Sequence, residues 1–168
     1  MGIKLMPYDP KVTILRSTEA SAALCMTAAA NTQACAIKDM PAVSANTTLL
    51  QTIAKMGHTN IFEHASVTFL LENVSRGCVD QITRHRMGSF TCSSTHYEAH
   101  EDTIYLVPGA IEKDAFAWAA CEWQHTLYTF MRKESNIGAE ARQLLPLAIS
   151  CRLMWTVNAR ALINFLRL

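Results

Sequence analysis

The chain has 168 residues, half of them apolar and 17% charged, with a formal net charge of +1. That length supports a sizeable core, and residues 1–168 are expected to form a single domain. A charge so close to zero excludes a broad cationic face for a nucleic acid polymer or an anionic membrane, so any anion must be held by a few local cations. Six cysteines stand at positions 25, 35, 78, 92, 121 and 151. None belongs to a CxxC pair, so no zinc pattern exists and no metal is expected. Met1–Asp9 carries no apolar run behind a basic start, and no apolar stretch reaches the roughly 18 residues that a span needs. This reads as a cytoplasmic protein with reduced thiols, most of them small core residues.

In chain order, Ala20–Ala36 is alanine-rich and predicts a helix. Val43–Met56 places Val43, Leu49, Leu50, Ile53 and Ala54 at helical spacing, and Gly57 fits the stop. Ser66–Leu71 is rich in strand formers. Val74–Thr83 predicts a helix with Val74, Cys78, Val79 and Ile82 on one face. Arg84–Tyr97 follows neither period and reads as loop with extended pieces. Thr103–Val107, closed by Pro108 and Gly109, is a strand candidate. Ile111–Arg132 is the longest predicted helix, burying Phe116, Trp118, Trp123, Leu127 and Phe130 in some combination. Ala139–Leu145 is a shorter helix ended by Pro146, and Asn158–Leu168 a last one with Leu162, Phe165 and Leu166 as its apolar side. Helices outnumber strands, and the strands lie far apart. The expected fold class is therefore α+β, an antiparallel sheet with helices packed on it.

Three polar clusters could carry chemistry. The first runs Arg84-His85-Arg86-Met87-Gly88-Ser89-Phe90-Thr91-Cys92-Ser93-Ser94-Thr95-His96-Tyr97. In an extended backbone Arg84 and Arg86 project to one side and His85 to the other. Two guanidinium forks suit phosphate or pyrophosphate, the hydroxyls add donors, and Gly88 permits close backbone approach. The bland alternative is a solvated basic turn.

The second cluster is His58-Thr59-Asn60-Ile61-Phe62-Glu63-His64. It lacks the His-Glu-x-x-His pattern, so imidazoles that stack or donate fit better than metal ligands. In the third, Asn158 to Asn164, residues Arg160 and Asn164 stand at i and i+4, on one helix face opposite the apolar side. The alternative there is a solvated face with Asn158 as N-cap. No phosphate-binding glycine loop, dinucleotide fingerprint or Ser-His-Asp arrangement is present.

Taken together, these segments resemble the flavin-dependent thymidylate synthases. Arg84-His85-Arg86, seven residues and then Ser94 resembles that family's RHR-x7-S signature. His58 to His64 resembles its H-x-x-P-F-E-H segment, and Leu144 to Leu147 with Trp155 to Leu166 its third block. The blocks stand in the family's order and cover about Val43 to Leu168.

The resemblance implies a homotetramer holding FAD at subunit junctions. It implies transfer of the methylene of methylenetetrahydrofolate to dUMP, giving dTMP, with NADPH reducing the flavin. Arg84, His85 and Arg86 would hold FAD, with Cys92 on the cofactor side, Asn158, Arg160 and Asn164 on another subunit's share of the site, and His58 and Asn60 near flavin and folate. Gln81, Arg84, Ser93, Ser94, His96 and Arg142 would hold the nucleotide.

Two positions depart from the family's pattern. His96 stands where it has arginine, and Cys92 where it has glutamate. The pyrimidine-contacting arginine and a further helical segment would lie beyond Leu168. These departures leave two other readings open: a same-fold enzyme for another pyrimidine nucleotide, and a non-catalytic flavin- or nucleotide-binding relative.

Overall fold

A computed structural model of the chain describes residues 4–31, 47–95, 104–107, 114–134 and 138–168. The described chain has six strands and five α-helices: β1 (Lys4–Pro7), β2 (Lys11–Ser17), α1 (Ser21–Asn31), α2 (Thr47–Lys55), β3 (Ser66–Ser75), α3 (Arg76–Ile82), β4 (Gly88–Cys92), β5 (Ile104–Val107), α4 (Ala115–Glu134), β6 (Ser150–Asn158) and α5 (Ala159–Phe165). Two 3₁₀ segments, Asn60–His64 and Gly138–Leu144, complete it. The main sheet is antiparallel, in the order β2-β3-β6-β4, with helices packed on it. A separate two-stranded piece pairs β1 with β5 in parallel, Lys4 opposite Ile104 and Leu5 opposite Tyr105.

Strands β1 and β2 and the whole of β6 are not expected from the sequence. In β6 the alternation is clean: Cys151, Leu153, Trp155 and Val157 are buried, and Arg152 and Met154 between them are exposed. Period two with one buried face is what a half-covered strand requires. Edge strand β2 is exposed along most of its length, so burial leaves no such trace in it. In β3 the buried residues Leu71 and Val74 are three apart. Asn73 between them adopts a left-handed φ of 54° and inserts the extra residue that returns Val74 to the inner side.

Contacts divide the chain into two compact units, each assembled from separate stretches. The first comprises Met1–Thr13, Leu70–Arg84 and Thr91–Met154. Here the predicted helix from Val74 begins two residues later, at Arg76, because Val74 completes β3 and Ser75 caps α3, its hydroxyl accepting from Cys78 N at 3.1 Å. Val79 and Ile82 are buried as expected.

Helix α4 departs from the sequence expectation. Phe116, Trp123 and Phe130 are 88%, 70% and 57% exposed, Trp118 and Leu127 are half-buried, and the fully buried positions are His125 and Tyr128. The inward stripe is Cys121, His125, Tyr128 and Arg132, at helical spacing. Its polar members find partners: Tyr105 Oη lies 2.8 Å from His125 Nδ1, and Arg132 Nη1 donates to Tyr128 Oη at 2.7 Å. Satisfied hydrogen bonds make those side chains buriable, which hydrophobicity alone does not reveal. The expected helix at Ala139–Leu145 is a 3₁₀ segment, Gly138–Leu144.

The second unit comprises Ile14–Phe69, His85–Phe90 and Trp155–Leu168. Its core joins Cys25 of α1, Leu50 of α2, and Ile61, Phe62 and Ala65 at the first 3₁₀ segment, with Ala159 of α5 against them. The many alanines of α1 permit close approach of these elements. Gly57, at φ 85°, follows α2 where the stop is expected. Helix α5 ends at Phe165, and Leu166, expected on the apolar side, is 73% exposed.

Candidate functional site

In the second unit, the Trp155 and Val157 side chains of β6 point to the buried side of the strand. The same strand runs into α5, whose first turn is capped by Asn158, its side-chain oxygen accepting from Ala161 N at 2.8 Å. Trp155 and Val157, with Ala161 and Asn164 of α5, form one wall of a half-open cleft of ≈ 270 Å³. His85, Arg86 and Met87, which lead into β4, form the other.

Aromatic contacts set the shape of this cleft. His85 meets Phe165 edge-on at 4.9 Å, Phe165 meets Trp155 at 5.0 Å, and Phe90 stacks on Trp155 at 5.9 Å with 14° between planes. Phe69 meets the indole at 5.9 Å, tilted by 40°. The imidazole of His85 is therefore held by an aromatic ladder, while Arg86 stays exposed at the rim. Gly88 permits close approach to its backbone, here by the Trp155 indole. A Cβ there would stand 2.6 Å from Trp155 Nε1 and 3.0 Å from the Thr156 carbonyl oxygen. The absent side chain admits the indole, and Trp155 Nε1 is buried without a hydrogen-bond partner.

The second and third sequence clusters meet. Arg160 Nη1 donates to Glu63 Oε1, and Ala159 N donates to the Ala65 carbonyl at 2.8 Å. The sequence expectation places Arg160 on a ligand-facing side with Asn164. Arg160 pairs with the Glu63 carboxylate of the other cluster, both side chains about half exposed, and Asn164 lines the cleft. Asn158 does serve as the N-cap. His58 and Asn60 stand at the turn after α2 and the start of the 3₁₀ segment, His58 exposed.

A second, larger cleft of ≈ 640 Å³ in the same unit is lined by Arg16, Ser17, Thr18, Glu19, Ser66, Thr68 and Thr156. Ser66 N donates to Thr18 Oγ1 at 2.9 Å, and the Thr68 and Thr156 hydroxyls lie 2.9 Å apart. Sequence reasoning misses this cleft. Its signal is the run Arg16-Ser17-Thr18, a guanidinium followed by two hydroxyls.

The remaining candidates lie in the first unit. Gln81 and Arg84 are exposed at the end of α3, and Arg142 is half-buried in the second 3₁₀ segment. Cys92 ends β4 and is followed by Ser93 and Ser94, all half-buried. Ser93 N donates to the Arg152 carbonyl at 2.9 Å, and Arg152 N returns a bond to Ser93 Oγ at 3.2 Å. His96 lies outside the described residues. Among those described, no group of three or more His, Cys, Asp or Glu gathers as a metal site, and no helix is long and apolar enough to cross a membrane.

This is the architecture of the flavin-dependent thymidylate synthases and nucleotide methylases of known structure. The chain belongs to the family described as "Thymidylate synthase complementing protein", which matches residues 12–168. Among its relatives are the flavin-dependent thymidylate synthases of Pyrococcus furiosus, 32% identical over 69% of this chain and 51% of the relative, and of Mycobacterium sp. (strain JLS), 30% identical over 77% and 60%. The chain spans about half the length of the first of these. Among solved structures, the UMP/dUMP methylase PolB from Streptomyces cacaoi, bound with 5-Br dUMP, superposes with a TM-score of 0.79 at 28% identity, over 97% of this chain and 78% of that one. Thymidylate Synthase X from Helicobacter pylori, with FAD and dUMP, shares the fold with a TM-score of 0.74 at 19% identity, over 93% and 82%.

Proposed function

We propose that the chain forms part of an enzyme that transfers a methylene and a hydride, from methylenetetrahydrofolate and reduced flavin, to dUMP, giving dTMP. NADPH is the reductant in this reading. The observation that carries it is the cleft in which His85, Arg86 and Asn164 surround an apolar floor of Trp155 and Val157.

The donor set suits FAD. Arg86 offers a guanidinium for a pyrophosphate oxygen, Asn164 offers both donor and acceptor to a ring edge, and the apolar floor takes a flat ring. At ≈ 270 Å³ the cleft takes one portion of a dinucleotide. The cleft of Arg16 and its hydroxyls offers a second set of donors for phosphate or ribityl oxygens. When bound, flavin supplies the electron pair that reduces the transferred carbon. The chain's own residues bind anions and orient rings, as cofactor chemistry requires. Gln81, Arg84, Ser93, Ser94, Arg142 and His96 are proposed for the nucleotide, and His58 and Asn60 for the flavin and folate side.

A second reading, methylation of UMP, is favoured by the likeness to the UMP/dUMP methylase PolB. Tritium release from the 5-position separates the readings. The purified protein with FAD, NADPH and methylenetetrahydrofolate is expected to release tritium from labelled dUMP. Release from UMP alone establishes the second reading. A yellow protein that releases tritium from neither sinks both.

A homotetramer is proposed as the assembled form. Phe116, Ala120, Trp123 and Phe130, all exposed, fall with half-buried Leu127 on one face of α4 at three- and four-residue spacing, and an apolar stripe of this kind marks an interaction surface. Trp123→Glu is expected to reduce the mass measured by light scattering. An unchanged mass shows that α4 takes no part in assembly. The free thiols Cys25, Cys78, Cys92, Cys121 and Cys151 support a reducing, cytoplasmic location.

A further inference from the structure

Cys92 and Cys151 lie on β4 and β6, which are neighbours in the main sheet, and the bonds between Ser93 and Arg152 fix their register. Cys151 is 3% exposed, and Cys92 is half-buried. From α3, Arg76 points its Nη1 at Cys92 Sγ, 3.7 Å away, while its Nε pairs with Asp80 at 3.3 Å. The Cys151 thiol has two acceptors in reach, the Ile149 carbonyl at 3.8 Å and the Cys92 sulfur. The groups facing Cys92 are therefore Cys151 from β6, Arg76 and Asp80 from α3, and Ser93 from its own strand end.

We propose that Cys92 and Cys151 form a redox-active dithiol, in which Cys92, set beside the Arg76 guanidinium, attacks small-molecule disulfides and Cys151 resolves the adduct. The two thiols are unequal in the way such chemistry needs. The hydrogen bond from Cys151, then Arg76 and Ser93, outweigh burial and Asp80 and hold the Cys92 thiol down at about 6. Cys151 is pushed up, first by its bond to Cys92 and then by burial.

In the first step the Cys92 thiolate attacks one sulfur of a disulfide RSSR. The mixed disulfide Cys92–S–S–R forms, the original S–S bond breaks, and the leaving thiolate takes a proton from solvent. Capping takes away the Cys92 thiolate that accepts from Cys151, and with that hydrogen bond the largest cause of the raised Cys151 value. Cys151 then loses its proton to solvent and attacks the Cys92 sulfur. The second RS⁻ leaves and is protonated, so two protein thiols and one RSSR become one protein disulfide and two RSH. In a reducing compartment such a bond is transient, which is the behaviour of a sensor.

The test is alkylation and oxidation of the reduced protein, and its readouts need neither flavin nor nucleotide. At pH 6 Cys92 is expected to alkylate roughly tenfold faster than an ordinary thiol, its larger thiolate fraction outweighing its lower intrinsic nucleophilicity. Its rate should level off above pH 7, and Arg76→Gln should move the midpoint upward. Cys25 and Cys121, both raised by burial, serve as slow internal controls.

With oxidised glutathione, a digest at Lys and Arg run without reductant should link the peptide 87–113, carrying Cys92, to the peptide 143–152, carrying Cys151. Cys151→Ser should leave glutathione on Cys92, and Cys92→Ser should abolish both adduct and link. An alkylation midpoint above pH 8 overturns the proposal, as does preferential modification of another cysteine. A Cys92 adduct that persists in the unsubstituted protein with no linked peptide also overturns it.

Discussion

Trp155→Ala is expected to lower the free energy of unfolding by about 3–5 kcal/mol, the range for removing a buried large aromatic. Trp155 is 5% exposed and is the ring that Phe69, Phe90 and Phe165 all touch. Its deletion leaves those three rings facing a cavity, and aromatic pairing is lost beyond the transfer term. The indole N–H adds nothing to the loss, because it has no partner to forfeit.

A companion substitution isolates the packing argument. Gly88→Ala places a methyl against a rigid ring atom at 2.6 Å and a backbone oxygen at 3.0 Å, an overpacking that costs about 1–3 kcal/mol. In the Trp155→Ala background the ring is gone, so the second substitution should cost clearly less, and the two effects should not add. Urea denaturation at unchanged m-value measures all three proteins. A loss below about 1 kcal/mol for Trp155→Ala, outside the expected range, shows that the aromatic ladder does not organise this unit.

Arg86→Ala is expected to weaken flavin binding by about 1.5–3 kcal/mol, or roughly 10- to 150-fold, the scale of a hydrogen bond to a charged group. The guanidinium lines the cleft and is exposed, so its removal should spare the fold, and thermal unfolding without flavin should be unchanged. Arg86→Lys keeps the charge without the bidentate fork and should recover part of the affinity.

Arg160→Ala is the informative contrast. That side chain is paired with Glu63 at the surface, and exposed pairs contribute about 0–1 kcal/mol to stability. It should change flavin affinity little. Fluorescence titration of FAD against the three variants decides the matter. Flavin loss with Arg160→Ala and none with Arg86→Ala would reverse the assignment of the cleft.

Much of the fold and of the cleft is legible in the residues themselves. The stop at Gly57, the strand ending at Val107, the cap at Asn158 and the paired cations at Arg84 and Arg86 all follow from local chemistry. A left-handed φ, a side-chain oxygen beside a free N–H, and paired cations are readable within a few residues of sequence. The motifs carry the family because they combine such residues at three separate places in one order.

The rest depends on partners distant in sequence. Arg160 has the spacing of a ligand residue, and its ion pair with Glu63, 97 positions away, has no trace in the local sequence. Gly88 suggests room for a ligand, and the space belongs to Trp155. In α4 the largest apolar side chains suggest the buried face, yet His125 and Tyr128 are buried because Tyr105 and Arg132 satisfy them.

The sequence by itself therefore determined the class of fold, the helix boundaries set by caps and glycines, and the family. Tertiary structure alone decided which face of α4 turns inward, that Arg160 meets the Glu63 carboxylate while Arg86 lines the cleft, and that Cys92 and Cys151 lie on neighbouring strands. The physical reason is the range of the interactions. Caps, turns and periodicity act within one or two helical turns, whereas burial, ion pairing and thiol activation depend on what the folded chain brings from far away.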